Sequence, residues 1–316
     1  MDVIVIGGLN TDYLGRGPAL PQSGETKNGD IFFTGPGGKG ANQAVACARL
    51  GARVALVGAV GDDDRGQVLI DDARREGVNV DCIRRINGMQ TGVAMIHVDE
   101  HAEKQILAVP GANRGLTVDD VERALAKLTD IRPGSPRRES EGGSGLVVLA
   151  QLEVPLECVE AAFRWARAHG ARTVLDPAPA IRLSGDFLAL VDVLKPNAGE
   201  AEVLTGVRVV HRDAGRKAAR KLLHAGVGAA VIQAGRGNLV VWPEGEHWLQ
   251  KIKVDAVDAT GAGDALAGTL ATYLARGRTL IEAATYANAA AALQTTKLGA
   301  QTGLPREEEI LALLNS

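Results

Sequence analysis

The stretch with the most evident chemistry is Val257-Asp258-Ala259-Thr260-Gly261-Ala262-Gly263-Asp264, which runs into the helix-like segment Ala265 to Arg276. Small residues ahead of a helix leave backbone N–H groups free to face an anion, and the helix dipole favours negative charge at the same point. A carboxylate there, Asp264, can take a proton from a hydroxyl while the amides of Gly261, Ala262 and Gly263 hold charge developing on a phosphoryl group. The competing reading is local: a glycine turn with Asp264 as an acidic N-terminal cap.

A second glycine-rich stretch, Gly35-Pro36-Gly37-Gly38-Lys39-Gly40-Ala41-Asn42-Gln43-Ala44, also enters a helix. It satisfies the G-x-G-x-x-G spacing and contains Gly-Lys, but neither match survives its context. A P-loop needs Ser or Thr after the lysine, and a dinucleotide fingerprint follows the first strand of a βαβ unit rather than polar, irregular chain. What remains is a backbone that a polar ligand can approach closely, with Lys39 and Asn42 as donors for hydroxyls. Asn10 and Asp12 lie just past the first strand, where ligands bind in open α/β sheets, and share a side if the chain stays extended. Asx residues are also ordinary turn formers. Lys195-Pro196-Asn197-Ala198-Gly199-Glu200 starts another helix; Asn197 and Glu200 have capping-box spacing, or alternatively hold Mg²⁺ or its waters beside phosphate.

Other candidates carry less. His97 and His101 straddle a hairpin turn, where i, i+4 spacing does not bring two rings onto one face. Asp62-Asp63-Asp64 reads as a solvated helix start. No G-x-S-x-G elbow is present for a serine hydrolase. Cys47, Cys82 and Cys158 are widely spaced without a Cys-x-x-Cys pair, which points away from zinc and toward a reducing cytoplasm.

These segments need a scaffold, and the rest of the chain predicts one. Val3 to Ile6, Val54 to Val60, Leu146 to Ala150, Thr173 to Leu175, Val191 to Leu194 and Ala229 to Gln233 read as buried strands. Between them, helical stretches Asn42 to Leu50, Gln67 to Glu76, Leu156 to His169 and Ala214 to Ala225 each stop at a glycine. That rhythm predicts an α/β fold with a doubly wound, mostly parallel sheet flanked by helices. Residues 11–37 and 91–109 break it: the first contains the β-like Ile31 to Thr34, and the second reads as a hairpin of Val93 to Val98 and Gln105 to Val109. Together they predict a small β-sheet lid on a single domain spanning 1–316. Pro133 to Gly145 reads as a surface loop.

Hydrophobic residues make up 46% of the chain but aromatics only 3%, so the core must be layered aliphatic packing. A net charge of −3 gives no global field for nucleic acid or anionic membrane, and no apolar run is long enough to span a bilayer. The N-terminus opens at once on a strand, without a leader pattern.

Read together, the motifs resemble the PfkB carbohydrate kinase family, the ribokinases in particular, along nearly the whole chain. The likeness rests on Gly8 to Asp12, Gly24-Glu25-Thr26, Gly37 to Ala44, Gly111-Ala112-Asn113, Gln151-Leu152-Glu153, Asp176 to Pro179, Pro196-Asn197 with Glu200, and Asp258 to Asp264. It implies a ribokinase-like fold and ATP-dependent phosphorylation of a sugar, D-ribose at O5 first, with another sugar or a nucleoside as the alternative. A non-catalytic sensor is the different-class rival. It further implies Asp264 as base and Gly261, Ala262 and Gly263 as anion hole. Asn10, Asp12, Gly38, Lys39, Asn42 and Glu153 become sugar ligands, and Asn197 and Glu200 the Mg²⁺ and phosphate motif. Gln233, Gly235, Gly263 and Asn288 fall on the ATP side. Asp258, Thr260, Gln294, Lys297, Gly299 and Gly303 match a K⁺ site built mainly of backbone carbonyls, Gly303 standing where the family often has serine. Apart from the resemblance, the open edges of the lid hairpin offer pairing between two subunits, so a homodimer through the lid is expected.

Overall fold

The computed structural model describes residues 1–101, 104–129 and 145–315, so the expected loop from Pro133 to Gly145 lies, but for Gly145, outside the described residues. The chain opens with β1 (Val3–Ile6), β2 (Asn10–Arg16), β3 (Ile31–Gly37), α1 (Lys39–Arg49), β4 (Val54–Gly61), α2 (Asp64–Arg75) and β5 (Asn79–Ile86). It continues through β6 (Gly92–Val98), β7 (Lys104–Val109), a 3₁₀ turn (Gly111–Gly115), α3 (Val118–Thr129), β8 (Val147–Gln151), α4 (Leu156–Ala168), β9 (Arg172–Asp176) and α5 (Gly185–Leu188). The last third holds β10 (Val193–Leu194), α6 (Ala198–Thr205), α7 (Arg212–His224), β11 (Ala229–Gln233), β12 (Gly237–Trp242), β13 (Gly245–Gln250), α8 (Ala262–Ala275), α9 (Leu280–Gln294) and α10 (Glu307–Leu314).

The main sheet has the order β13-β12-β11-β10-β9-β8-β1-β4-β5. From β5 across to β11 all neighbours run parallel, while β12 and β13 form an antiparallel hairpin on one edge. Alternation along β1 separates two cores: Val3 and Val5 pack among residues of α1, α2, α8 and α9, whereas Ile4 and Ile6 pack among residues of α3, α4 and α7. Strand order reverses at β1, whose neighbours are β8 and β4, so the crevice beyond the C-terminal ends of β1 and β8 is the topological switch point.

The six strands expected in the main sheet are all present, with ends shifted by at most two residues. Each of the four helix-stopping glycines has positive φ: 77° at Gly51, 90° at Gly77, 72° at Gly170 and 103° at Gly226. Helix α8 differs in a way that matters, because it begins at Ala262 rather than Ala265. The acidic run behaves as a helix start, Asp63 capping α2 by accepting from the Gly66 N–H.

Strands β3-β2-β6-β7 form a second sheet. The β6–β7 hairpin and the extended Ile31 segment follow the sequence reading, but β2 was hidden in polar, glycine-bearing chain. One face of this sheet buries Leu14, Ala94, Ile96 and Val98, with Phe33 and Leu298 packed on them. Phe32, Met95, Ile106, Leu107 and Val109 are exposed.

Candidate active site

The parallel strands deliver their C-terminal residues to one crevice: Gly7 after β1, Gln151 at the end of β8, Asp176 at the end of β9 and Lys195 just beyond β10. Helices α1 and α8 pack against each other and present their N-termini to it. The N-cap of α8 is Gly261, at φ 80°, with no side-chain cap. Asp264 therefore sits inside the first turn and does not cap its own helix. Among the described residues the N–H groups of Gly263 and Asp264 have no acceptor, and that of Ala262 makes only a long 3.4 Å bond to Ala259 O. Such a row of open amides at a helix N-terminus is an anion site.

Asp264 is buried and turned toward α1. Its Oδ2 accepts from Asn42 Nδ2 at 2.9 Å, its Oδ1 accepts from Gln43 Nε2 at 2.9 Å, and Lys39 Nζ lies 4.0 Å away. These contacts fix the rotamer yet leave lone pairs for a hydroxyl proton. A wider network braces them. Gln43 also donates to Asp176 Oδ2 at 2.9 Å and accepts from Gln151 Nε2 at 2.5 Å, and Gln301 Nε2 donates to Asn42 Oδ1 at 3.0 Å. Lys195 Nζ stands 3.2 Å from Asp176 Oδ1 and donates to Gly263 O at 3.2 Å, which sets a buried ammonium beside the open amides.

On the opposite wall Asn10 and Asp12, paired across β2–β3 with Gly37 and Gly35, are both buried. Asn113 on the 3₁₀ turn holds Asn10 in place, donating from Nδ2 to Asn10 Oδ1 at 2.8 Å while its Oδ1 accepts from the Leu9 N–H at 2.9 Å. Glu153 Oε2 accepts from the Lys39 N–H at 2.8 Å. The glycines here serve contact between backbones: a Cβ on Gly40 would sit 2.5 Å from the Gly7 carbonyl carbon, and one on Gly38 (φ 85°) 2.6 Å from Gly8 O.

The crevice holds more carboxylates than ammonium groups. Burial, reinforced by Glu153 and Asp264, pushes the Asp12 carboxyl up to about 7. Burial likewise raises Glu153 to about 7 against the pull of Lys39. Burial disfavours the Lys39 charge, but Asp264, Asp176 and Glu153 outweigh it and hold the ammonium above its ordinary value. Glu200 is raised by burial and by Asp176.

The sequence profile described as pfkB family carbohydrate kinase matches residues 1–307. The chain belongs to that family. It is 36% identical over 311 residues to the ribokinase of Haemophilus influenzae, covering 98% of this chain and 97% of that one. It is 35% identical over 311 residues to the deoxyribokinase of Salmonella typhi, with the same coverage. The structure of Arabidopsis thaliana ribokinase complexed with ribose and ATP superposes with a TM-score of 0.83 at 27% identity, covering 99% of this chain and 98% of that one.

In this PfkB protein the remaining sequence candidates divide. Asn197 and Glu200 form the full capping box of α6: the Glu200 N–H donates to Asn197 Oδ1 at 2.9 Å and the Asn197 N–H to Glu200 Oε2 at 2.7 Å. Gln233 and Gly235 (φ 63°) are exposed at the end of β11 and the turn after it. Asn288 is committed to the β12–β13 hairpin, donating to Gln250 O at 2.9 Å and accepting from Asn238 at 2.9 Å. Of the set expected around K⁺, Asp258, Thr260, Gln294 and Gly299 are joined by hydrogen bonds and Gly303 packs on the main chain of Gln294, while the Lys297 side chain is exposed.

Sequence reading gave no role to Gln43, Asn113, Gln151, Asp176, Lys195 or Gln301. All but Gln301 lie inside quoted motifs, and for Gln151, Asp176 and Lys195 the signal was a position at or just past a strand end. Gln301 carried no such signal, since its partner Asn42 lies 259 positions away.

Proposed function

We propose that this protein transfers the γ-phosphoryl group of ATP to the 5-hydroxyl of D-ribose, giving ribose 5-phosphate and ADP. The observation that carries the reading is the convergence at Asp264: a buried carboxylate in the first turn of α8, beside open amides, held by Asn42 and Gln43 from α1. In this reading Asp264 takes the hydroxyl proton as the sugar oxygen bonds to phosphorus and the bridging oxygen leaves with ADP. The amides of Gly261, Ala262 and Gly263, with Lys195 alongside, stabilise charge on the phosphoryl oxygens. Asn10, Asp12, Gly38, Lys39, Asn42 and Glu153 bind sugar hydroxyls, which favours a small polyol because buried polar groups need matching partners.

The nucleotide lies toward Gln233, Gly235 and Asn288. Asn197 and Glu200 offer hard oxygen donors in a pocket rich in carboxylates, which suits Mg²⁺ completing its shell with phosphate and water. When bound, Mg²⁺ supplies charge neutralisation on the phosphates. The chain works as one catalytic unit over 1–316, with the small sheet of residues 11–37 and 91–109 as a lid that keeps water from the phosphoryl group. The exposed apolar residues of β7 suit pairing of two lids in a homodimer. No described helix is long and apolar enough to cross a membrane, and we assign the reaction to the cytoplasm.

A second reading, a different pentose as acceptor, is favoured by the 35% identity to the Salmonella typhi deoxyribokinase, against 36% to the Haemophilus influenzae ribokinase. ADP release across ribose, 2-deoxyribose, hexoses and nucleosides separates the two. Ribose turnover well above every other acceptor is expected; preference for 2-deoxyribose or a nucleoside would replace ribose in the assignment, and turnover of none would return the chain to the sensor class.

A further inference from the structure

Beneath the anion hole the loops Asp258 to Gly261 and Leu298 to Ala300 meet in a small polar knot, with Asp258, Thr260, Gly299 and Ala300 buried. Carbonyls in such a knot need positive partners, and in the family resemblance a monovalent cation supplies them. Here the partner is a side chain of the protein itself. Gln294, the last residue of α9 and fully buried, donates from Nε2 to Thr260 O at 2.9 Å and to Gly299 O at 2.8 Å. Both oxygens belong to the set expected to bind K⁺. One amide N–H₂ has two hydrogens, and both are spent on these carbonyls.

The neighbouring anion is equally committed. Asp258 Oδ1 accepts from the Thr260 N–H at 2.8 Å and its hydroxyl at 2.7 Å, and Oδ2 accepts from the Gly299 N–H at 2.9 Å. Position 303 supplies no side-chain oxygen, and a Cβ on Gly303 would stand 2.3 Å from Gln294 O. Gln294 Oε1 is buried without a hydrogen-bond partner, so the amide is oriented by the two carbonyls alone. A cation seated on Thr260 O and Gly299 O would meet the positive edge of the same amide. The residues present do not fit a monovalent cation in this arrangement.

We propose that Gln294 is a built-in replacement for the monovalent cation, a positioning residue that fixes the Thr260–Gly263 turn and makes the protein independent of K⁺. Its reach to the hole is direct: a Cβ on Gly261 would stand 3.0 Å from Nε2. In the wild type the rate and fold should therefore ignore K⁺, and removing the amide should open a cavity lined by two unpaired carbonyls that a cation can fill.

The test compares wild type, Gln294→Ala and Gln294→Met in buffer whose only monovalent cation is tetramethylammonium, with KCl then titrated in. ADP release rests on the kinase reading; the thermal unfolding midpoint does not, so the two can fail separately. Wild type should keep its kcat and its midpoint throughout. Gln294→Ala should lose about tenfold or more in kcat without K⁺, through a displaced hole, and recover part of it, with a raised midpoint, as K⁺ is added. Gln294→Met, which fills the volume without the donor, should lose turnover without regaining it. A several-fold rise in wild-type kcat with K⁺, or a wild-type midpoint that climbs with it, overturns the proposal. So does a Gln294→Met variant that turns over normally without K⁺.

Discussion

Helices α1 and α8 start with the same local device: a glycine N-cap at positive φ, Gly38 at 85° and Gly261 at 80°, with no side-chain cap on either. Their first amides meet different fates. In α1 the Lys39 N–H goes to Glu153 and the Ala41 N–H to Gly8 O at 3.1 Å, leaving of the first three only the Gly40 N–H without an acceptor among the described residues, so the helix start is stitched to the chain just past β1 and β8. In α8 the amides of Gly263 and Asp264 are left open above the knot tied by Gln294. A glycine-led helix start is thus an anion hole only where nothing else consumes its donors. Where neighbours do consume them it becomes a rigid platform for side chains, here Lys39, Asn42 and Gln43.

The largest effect should come from Asp264→Asn, which keeps the shape of the α8 start but removes the proton acceptor. A fall in kcat of about 10²- to 10⁴-fold is expected, with ribose binding still measurable by calorimetry. Near-normal turnover would reduce α8 to the same structural standing as α1.

Next come paired substitutions at the two N-caps. Gly261→Ala forces a Cβ against Ala300 O at positive φ, so kcat should fall about 10²-fold while ribose affinity holds. Gly38→Ala drives a Cβ toward Gly8 O and the Asn10 N–H, so it should raise KM for ribose more than it lowers kcat and reduce thermal stability. Steady-state kinetics that show the same split for both would erase the distinction between hole and platform.

The smallest effect is a pH dependence confined to the platform side. Asp12 and Glu153 are raised from 3.8 and 4.5 to about 7. The folded protein therefore holds more protons than the unfolded chain between about pH 4 and about pH 7, and its stability falls as pH rises through that window. Ionised Asp12 is the better acceptor for a sugar hydroxyl, so KM for ribose should rise severalfold as pH drops from about 8 to about 6. Asp12→Asn should flatten most of that slope; a slope unchanged in the variant would move it to another group.

Much of this was legible in the chain because the signals are local. Aliphatic runs closed by glycines marked strands and helices, and the small residues before Asp264 marked an anion site without any neighbour being known. Elements whose stability comes from pairing rather than pattern were hidden. Strand β2 reads as polar turn until Gly35 and Gly37 pair with Asp12 and Asn10. The start of α8 at Ala262 could not be read either, because glycine and alanine there fit turn and helix equally and packing decides.

The sequence by itself determined the layered α/β plan, the order of the strands along the chain and the residue types able to move a phosphoryl group. Tertiary structure decided which of those residues do the same job. It made Asp264 the partner of Asn42 and Gln43, gave Lys195 to Asp176 and Gly263, and spent Gln294 on two carbonyls expected to hold a cation. The reason is physical. A residue's capacity to donate or accept is fixed by its type, but whether that capacity is free depends on neighbours that the fold supplies, from five residues away for Gln294 to 222 for Asp264.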